Sequence, residues 1–142
     1  MKRKLELLLL APISLLAILI SCKNLSDKWY TVKIENNTTK QIFVSAGCGK
    51  YGMTSYPDTI LPDLEPSLLS VSSYDYNNLR SSVAWEDIIK QQPKDVLSIY
   101  FFNADTINQY EWTEIKQGNK VMERRELSLE DLQEMNWTIT YP

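Results

Sequence analysis

Apolar and polar residues alternate along several short stretches of this chain, the pattern of strands with one buried face. Tyr30, Val32 and Ile34 alternate with Thr31, Lys33 and Glu35, and Ile42 and Val44 alternate with Gln41 and Ser45. Between them, Asn36-Asn37-Thr38-Thr39 offers turn chemistry, because Asn tolerates positive φ and its side chain mimics a backbone turn. The two runs therefore read as a hairpin. A long loop rich in Gly and Pro follows, from Ala46 to Pro62. Ser67–Ser73 reads as the next strand, with Leu69 and Val71 inward, and Tyr74–Asn78 as a turn or loop.

A helical period then takes over. Trp85, Ile88 and Ile89 form an i, i+3, i+4 stripe, with Ser82 as the expected N-cap and Pro93 as the stop. Val96–Phe102 is apolar except for Ser98, which predicts a central strand buried on both faces. Asp105 and Asn108 offer caps for a helical stretch through Trp112 and Ile115, closed by Gly118. Val121–Leu127 is heavily charged and fits an edge strand. Ser128 caps a last helical turn that points Leu129, Leu132 and Met135 inward, and Trp137, Ile139 and Tyr141 alternate in a final strand. About six strands with two or three short helical insertions predict a mainly β chain, an antiparallel β-sandwich. The strand order is not derivable from this pattern.

The start of the chain follows a different logic. Lys2, Arg3 and Lys4 precede Leu7–Ile20, a predominantly apolar run without a charge. A membrane-spanning helix needs roughly 20 apolar residues, so this run is too short to span and fits the apolar region of an export signal. It ends in Leu19-Ile20-Ser21-Cys22, which resembles the lipobox of bacterial lipoproteins at all four positions. That resemblance implies cleavage after Ser21, a diacylglyceryl group on the Cys22 thiol and acylation of the new amino terminus. Two or more acyl chains anchor stably where one does not. The expected organisation is a signal peptide over residues 1–21, lipidated Cys22 with a polar tether to residue 28, and one β-rich domain over 29–142. The expected location is the outer membrane of the cell envelope, on either its periplasmic or its surface side.

Charge and composition narrow the chemistry. The chain has 15 Lys+Arg, 18 Asp+Glu and no histidine, for a formal charge of −3. Cleavage after Ser21 removes Lys2, Arg3, Lys4 and Glu6 and takes this to −5. A nucleic-acid partner, which needs a basic footprint, is not expected. Without histidine, Ser-His-Asp and Cys-His catalysis and histidine-ligated zinc are excluded. Cys22 and Cys48 are the only cysteines. With Cys22 acylated, Cys48 is expected to be a buried, reduced and inert thiol.

Four further segments carry a second likeness. Ser55-Tyr56-Pro57-Asp58-Thr59, Phe102-Asn103-Ala104-Asp105-Thr106, Leu127-Ser128-Leu129-Glu130-Asp131-Leu132 and the ending Asn136–Pro142 are similar to a family of small lipoproteins from Bacteroides-type gut bacteria. That family has no assigned activity, so the resemblance implies the envelope setting and transfers no functional residue.

The candidate function is a non-catalytic binding or accessory module. Trp85, Trp112 and Trp137 have the phase of core residues. Trp29, Tyr74, Asp75, Tyr76 and Asn77 are the candidate ligand contacts, a Tyr/Asn/Asp composition that gives contact area at low entropy cost. The partner would be a glycan or another envelope protein. The alternatives are a purely structural outer-membrane interaction protein and a hydrolase built on a carboxylate pair. The acids available to such a pair are Asp58, Asp63, Glu65 and Asp105. No cofactor or metal is expected, since no Asp-x-Asp-x-Asp-Gly loop is present. Asp58-Thr59-Ile60 and Asp105-Thr106-Ile107 resemble the O-glycosylation acceptor of Bacteroides-type bacteria. Thr59 and Thr106 are thus candidate modification sites, although a turn and a helix cap also account for these pairs.

Overall fold

The computed structural model describes residues 28–47, 61 and 65–142. Among these residues, seven strands form two sheets. One holds β4 (Asp75–Ser81), β1 (Tyr30–Asn36) and β7 (Thr138–Tyr141) in that order. The other holds β3 (Leu69–Val71), β2 (Ile42–Ala46), β5 (Val96–Asn103) and β6 (Glu123–Ser128). All pairs are antiparallel except β1–β7, which is parallel. Four short helices punctuate the strands: α1 (Trp85–Lys90), α2 (Ala104–Gln109), α3 (Trp112–Gln117) and α4 (Leu129–Glu134).

The two sheets bury a shared core. Val32, Ile34 and Ile139 of the first sheet pack with Ile42, Val44, Val71, Leu97, Ile99, Phe101 and Leu127 of the second. Trp85, Ile88 and Ile89 of α1 and Leu132 of α4 complete it. The predicted helical stripe is therefore the buried face of α1. On its other face β5 presents Tyr100 and Phe102 to a smaller core with Leu61, Trp112 and Ile115. The Phe102 and Trp112 rings meet edge to face, with centroids 5.9 Å apart. The expectation of a central strand buried on both faces describes β5 well.

The first expected hairpin is not one. β1 and β2 lie in different sheets, and residues 37–41 carry the chain across the sandwich. Alternation places Val32, Ile34, Ile42 and Val44 on the inside, yet it is silent on which strand lies alongside. Asn36 holds the crossing. It is fully buried, and its Nδ2 donates to Lys40 O at 2.7 Å and Ser72 O at 2.9 Å. Its Oδ1 accepts from Thr38 N at 3.0 Å and Thr38 Oγ1 at 2.7 Å. One amide thus joins the end of β1, the crossing and the β3–β4 turn.

A second correction concerns Tyr74–Asn78, expected as a turn or loop. Residues 75–81 are strand β4, paired along its length with β1 from Tyr30↔Ser81 to Asn36↔Asp75. Asp and Asn are depleted in strands generally, which hides an edge strand of this composition.

Helix caps also moved. Ser82 does not cap α1; Ala84 is its N-cap, while Ser81 Oγ accepts from Val83 N at 3.0 Å. Asn103, not Asp105, caps α2, its Oδ1 accepting from Asp105 N at 2.9 Å. The helical stretch expected through Trp112 is two helices, because a capping box of Glu111 and Glu114 restarts the chain at α3. Gly118 follows α3 as expected, with Asn119 at φ 44° taking the left-handed position. Ser128 caps α4 as expected, in a capping box closed by Asp131.

Candidate binding surface

Two hydrogen bonds orient the whole first sheet. Lys33 N donates to Trp137 O at 2.8 Å and Asn37 N to Tyr141 O at 2.7 Å, so the odd-numbered residues of β1 turn their backbone groups toward β7. The even-numbered ones therefore face β4, because backbone direction alternates along a strand. Opposite them stand Asp75, Asn77, Leu79 and Ser81. Tyr76, Asn78 and Arg80 consequently aim their backbone groups at the free edge.

That edge is closed locally. Asp75 Oδ1 accepts from Tyr76 N and Asn77 Oδ1 from Asn78 N, each at 2.8 Å. Asn77 Nδ2 also donates to Ser70 O at 2.9 Å. Asp75 and Asn77, expected as ligand contacts, therefore serve the backbone. An unpaired strand edge is a template for another chain, and side chains that occupy its N–H groups blunt it.

The outer face of this sheet carries Thr31, Lys33 and Glu35 on β1, Tyr76, Asn78 and Arg80 on β4, and Thr138 and Thr140 on β7. Lys33 Nζ lies 4.4 Å from the Tyr76 ring centroid and 2.6 Å from Glu35 Oε1. Thr140 Oγ1 donates to Glu35 Oε2 at 3.4 Å, which extends this contact across all three strands. The Lys33 hydrogen bond holds the Glu35 carboxyl below its ordinary value, outweighing an opposing desolvation cost, with the Lys33 charge and the Thr140 hydrogen bond adding to it. Tyr76 is 57% exposed, and Tyr74 is 70% exposed at the adjoining turn with φ 53°. Sequence reasoning missed Lys33 and Glu35, because only the β1–β4 register brings Tyr76 beside them.

Trp29 lies at the other end of the sheet and is 56% exposed. Since Tyr76 pairs with Glu35, Trp29 and Tyr76 are roughly 20 Å apart at the ~3.3 Å rise of a strand residue. The five expected contacts thus fall into two groups that cannot share one small ligand. Trp29 instead lines a surface groove of about 250 Å³ with Tyr30, Thr31, Trp85, Glu86 and Trp137. Trp85 is locked there by Nε1 donating to Tyr30 O at 3.2 Å. Trp137 is only partly buried, and both it and Asn136 are left-handed, with φ 56° and 49°. Thr138 N donates to Met135 O at 3.0 Å, closing a turn of the mirror-image type that normally recruits glycine.

The remaining candidates do not converge. The Asp105 carboxylate lies 3.8 Å from Lys40 Nζ at the surface, and Thr106 is half-buried in the first turn of α2. Glu65 opens on a different cleft, of about 180 Å³, with Glu111, whose carboxylate is engaged in capping α3. Cys22, Cys48, Asp58, Thr59 and Asp63 lie outside the described residues. Among the described residues no three acidic or cysteine side chains gather as a metal site, and no helix is long and apolar enough to cross a membrane. Compared with known proteins, the chain matches no family model, no curated protein and no solved structure.

Proposed function

We propose that this chain is a lipid-anchored protein of the bacterial outer membrane that works as a non-catalytic binding module. The basic start, the short uncharged run and Leu19-Ile20-Ser21-Cys22 support the anchor. One observation carries the binding role: Tyr76 stands exposed beside Lys33, and Tyr74 stands exposed at the adjoining turn, by the C-terminal end of β1. Tyrosines supply rigid, amphipathic contact area with a polar tip, the usual anchor of a recognition surface. The face is a sheet surface rather than a deep cleft, which suits a broad partner, a polymeric glycan or an envelope protein, over a small molecule.

A capture experiment from detergent-solubilised membranes and from envelope polysaccharide tests this reading. The wild-type protein should retain a partner that Tyr74→Ser/Tyr76→Ser releases, with an unchanged circular dichroism spectrum in the variant. Identical retention by both proteins would contradict it.

A further inference from the structure

The groove at Trp29 sits where the described chain begins, and this position identifies its occupant. We infer that the Trp29–Trp137 groove is seated in the headgroup layer of the membrane that holds the anchor. The inference rests on lipidation of Cys22. At about 3.5 Å per residue, residues 22–29 can reach at most roughly 25 Å, so the groove is confined close to the bilayer surface. Tryptophan is the side chain most suited to that layer, with an apolar body and one N–H donor.

The groove offers both. Trp29 is 56% exposed, Trp137 is partly exposed, and Trp85 forms the floor with its N–H already engaged by Tyr30 O. Its charges match one headgroup type. Lys28 stands next to it, Nζ 4.7 Å from the Tyr30 ring centroid, and Glu86 lines the wall. Lys28 and Glu86 together complement a zwitterionic headgroup, the ammonium facing Glu86 and the phosphate facing Lys28. Seating this end of the sheet in the headgroups turns Tyr74 and Tyr76, at its other end, away from the membrane.

The full lipoprotein, reconstituted in phosphatidylethanolamine vesicles, tests the seat. The vesicles contain phospholipids brominated near the headgroup end of their acyl chains. Mass spectrometry of the same sample reads the lipid on Cys22. Comparing wild type with Trp29→Phe isolates the Trp29 emission, which should shift to the blue and be lost to bromine quenching. Trp112, in the second core, should keep its emission, as read from Trp112→Phe. A lipidated protein whose Trp29 emission is unquenched overturns the seat and leaves the anchor standing. A protein without lipid on Cys22 overturns the anchor and the seat with it. A Trp29 signal that responds to soluble glycans and not to brominated vesicles would make the groove a sugar site and also overturn the seat.

Discussion

Asn36 shows how much of this fold hangs on one side chain. Its amide satisfies carbonyls of the crossing and of the β3–β4 turn in a site without solvent. Removing one partner of a buried hydrogen bond costs about 1–3 kcal/mol for each group left unsatisfied. Asn36→Ala should therefore lower the unfolding free energy by about 3 kcal/mol, read as an earlier urea midpoint with an unchanged slope. Asn36→Asp should cost at least as much, since a carboxylate cannot donate to Lys40 O or Ser72 O. Little of this role was legible beforehand. An Asn in a Thr-rich stretch reads as turn chemistry, and only the approach of the end of β1 to the end of β3, in the other sheet, reveals the amide as a clamp.

Two carboxylates give the residue scale a pH dependence. Hydrogen bonds from the Ser128 hydroxyl and backbone hold Asp131 below its ordinary 3.8, and Lys33 holds Glu35 below its ordinary 4.5. Groups whose folded values are depressed bind more protons in the unfolded chain at low pH. Their stabilisation is therefore present above the ordinary values and lost as pH falls through the folded ones. Urea midpoints should stay level from neutral pH to about pH 5 and fall below about pH 4.5. Glu35→Gln/Asp131→Asn should flatten that fall. An equally steep fall in the double variant would show that other acids govern it.

At the scale of elements, the edges explain the odd composition of β4. Asp75 and Asn77 occupy the outward N–H groups of Tyr76 and Asn78, while Arg125 Nη1 donates to Thr140 O at 2.7 Å beside the other edge, at β7. The same guanidinium is 5.1 Å from the Phe101 ring, which stacks on Tyr141 with centroids 4.8 Å apart. This arrangement ties β6 to β7 across the open side of the sandwich. Asp75→Ala/Asn77→Ala should free the β4 edge and promote pairing between copies. Chemical cross-linking of the detergent-solubilised protein should then trap a dimer that wild type lacks. A variant as monomeric as wild type would mean that these side chains do not guard the edge.

The same elements show what the sequence can and cannot express. β5 is legible because both of its faces are apolar, and α4 because Ser128 and Asp131 stand at capping-box spacing. β4 is hidden because edge strands carry polar residues whose strand character comes from a neighbour. The crossing between β1 and β2 is hidden for a related reason. A sandwich pattern requires only that Val32, Ile34, Ile42 and Val44 point inward, and strands of either sheet meet that requirement. Candidate contacts scattered the same way: exposure of Trp29, Tyr74 and Tyr76 was legible, but their grouping depends on the β1–β4 register.

For the whole molecule, the proposed order runs from membrane to partner. The tryptophan groove lies at one end of the three-stranded sheet and the tyrosine face at the other, and the proposed anchor at Cys22 precedes the groove end in the sequence. This order makes lipidation the central claim, since both the orientation and the envelope setting depend on it. Its most direct test is the intact mass of the protein purified from the membranes of its native host. Lipidation predicts a chain that begins at Cys22 and carries a diacylglyceryl group and a further acyl chain, and any O-glycan on Thr106 or Thr59 would appear there as added hexose. A chain that begins elsewhere, or one that begins at Cys22 without acyl mass, would contradict it.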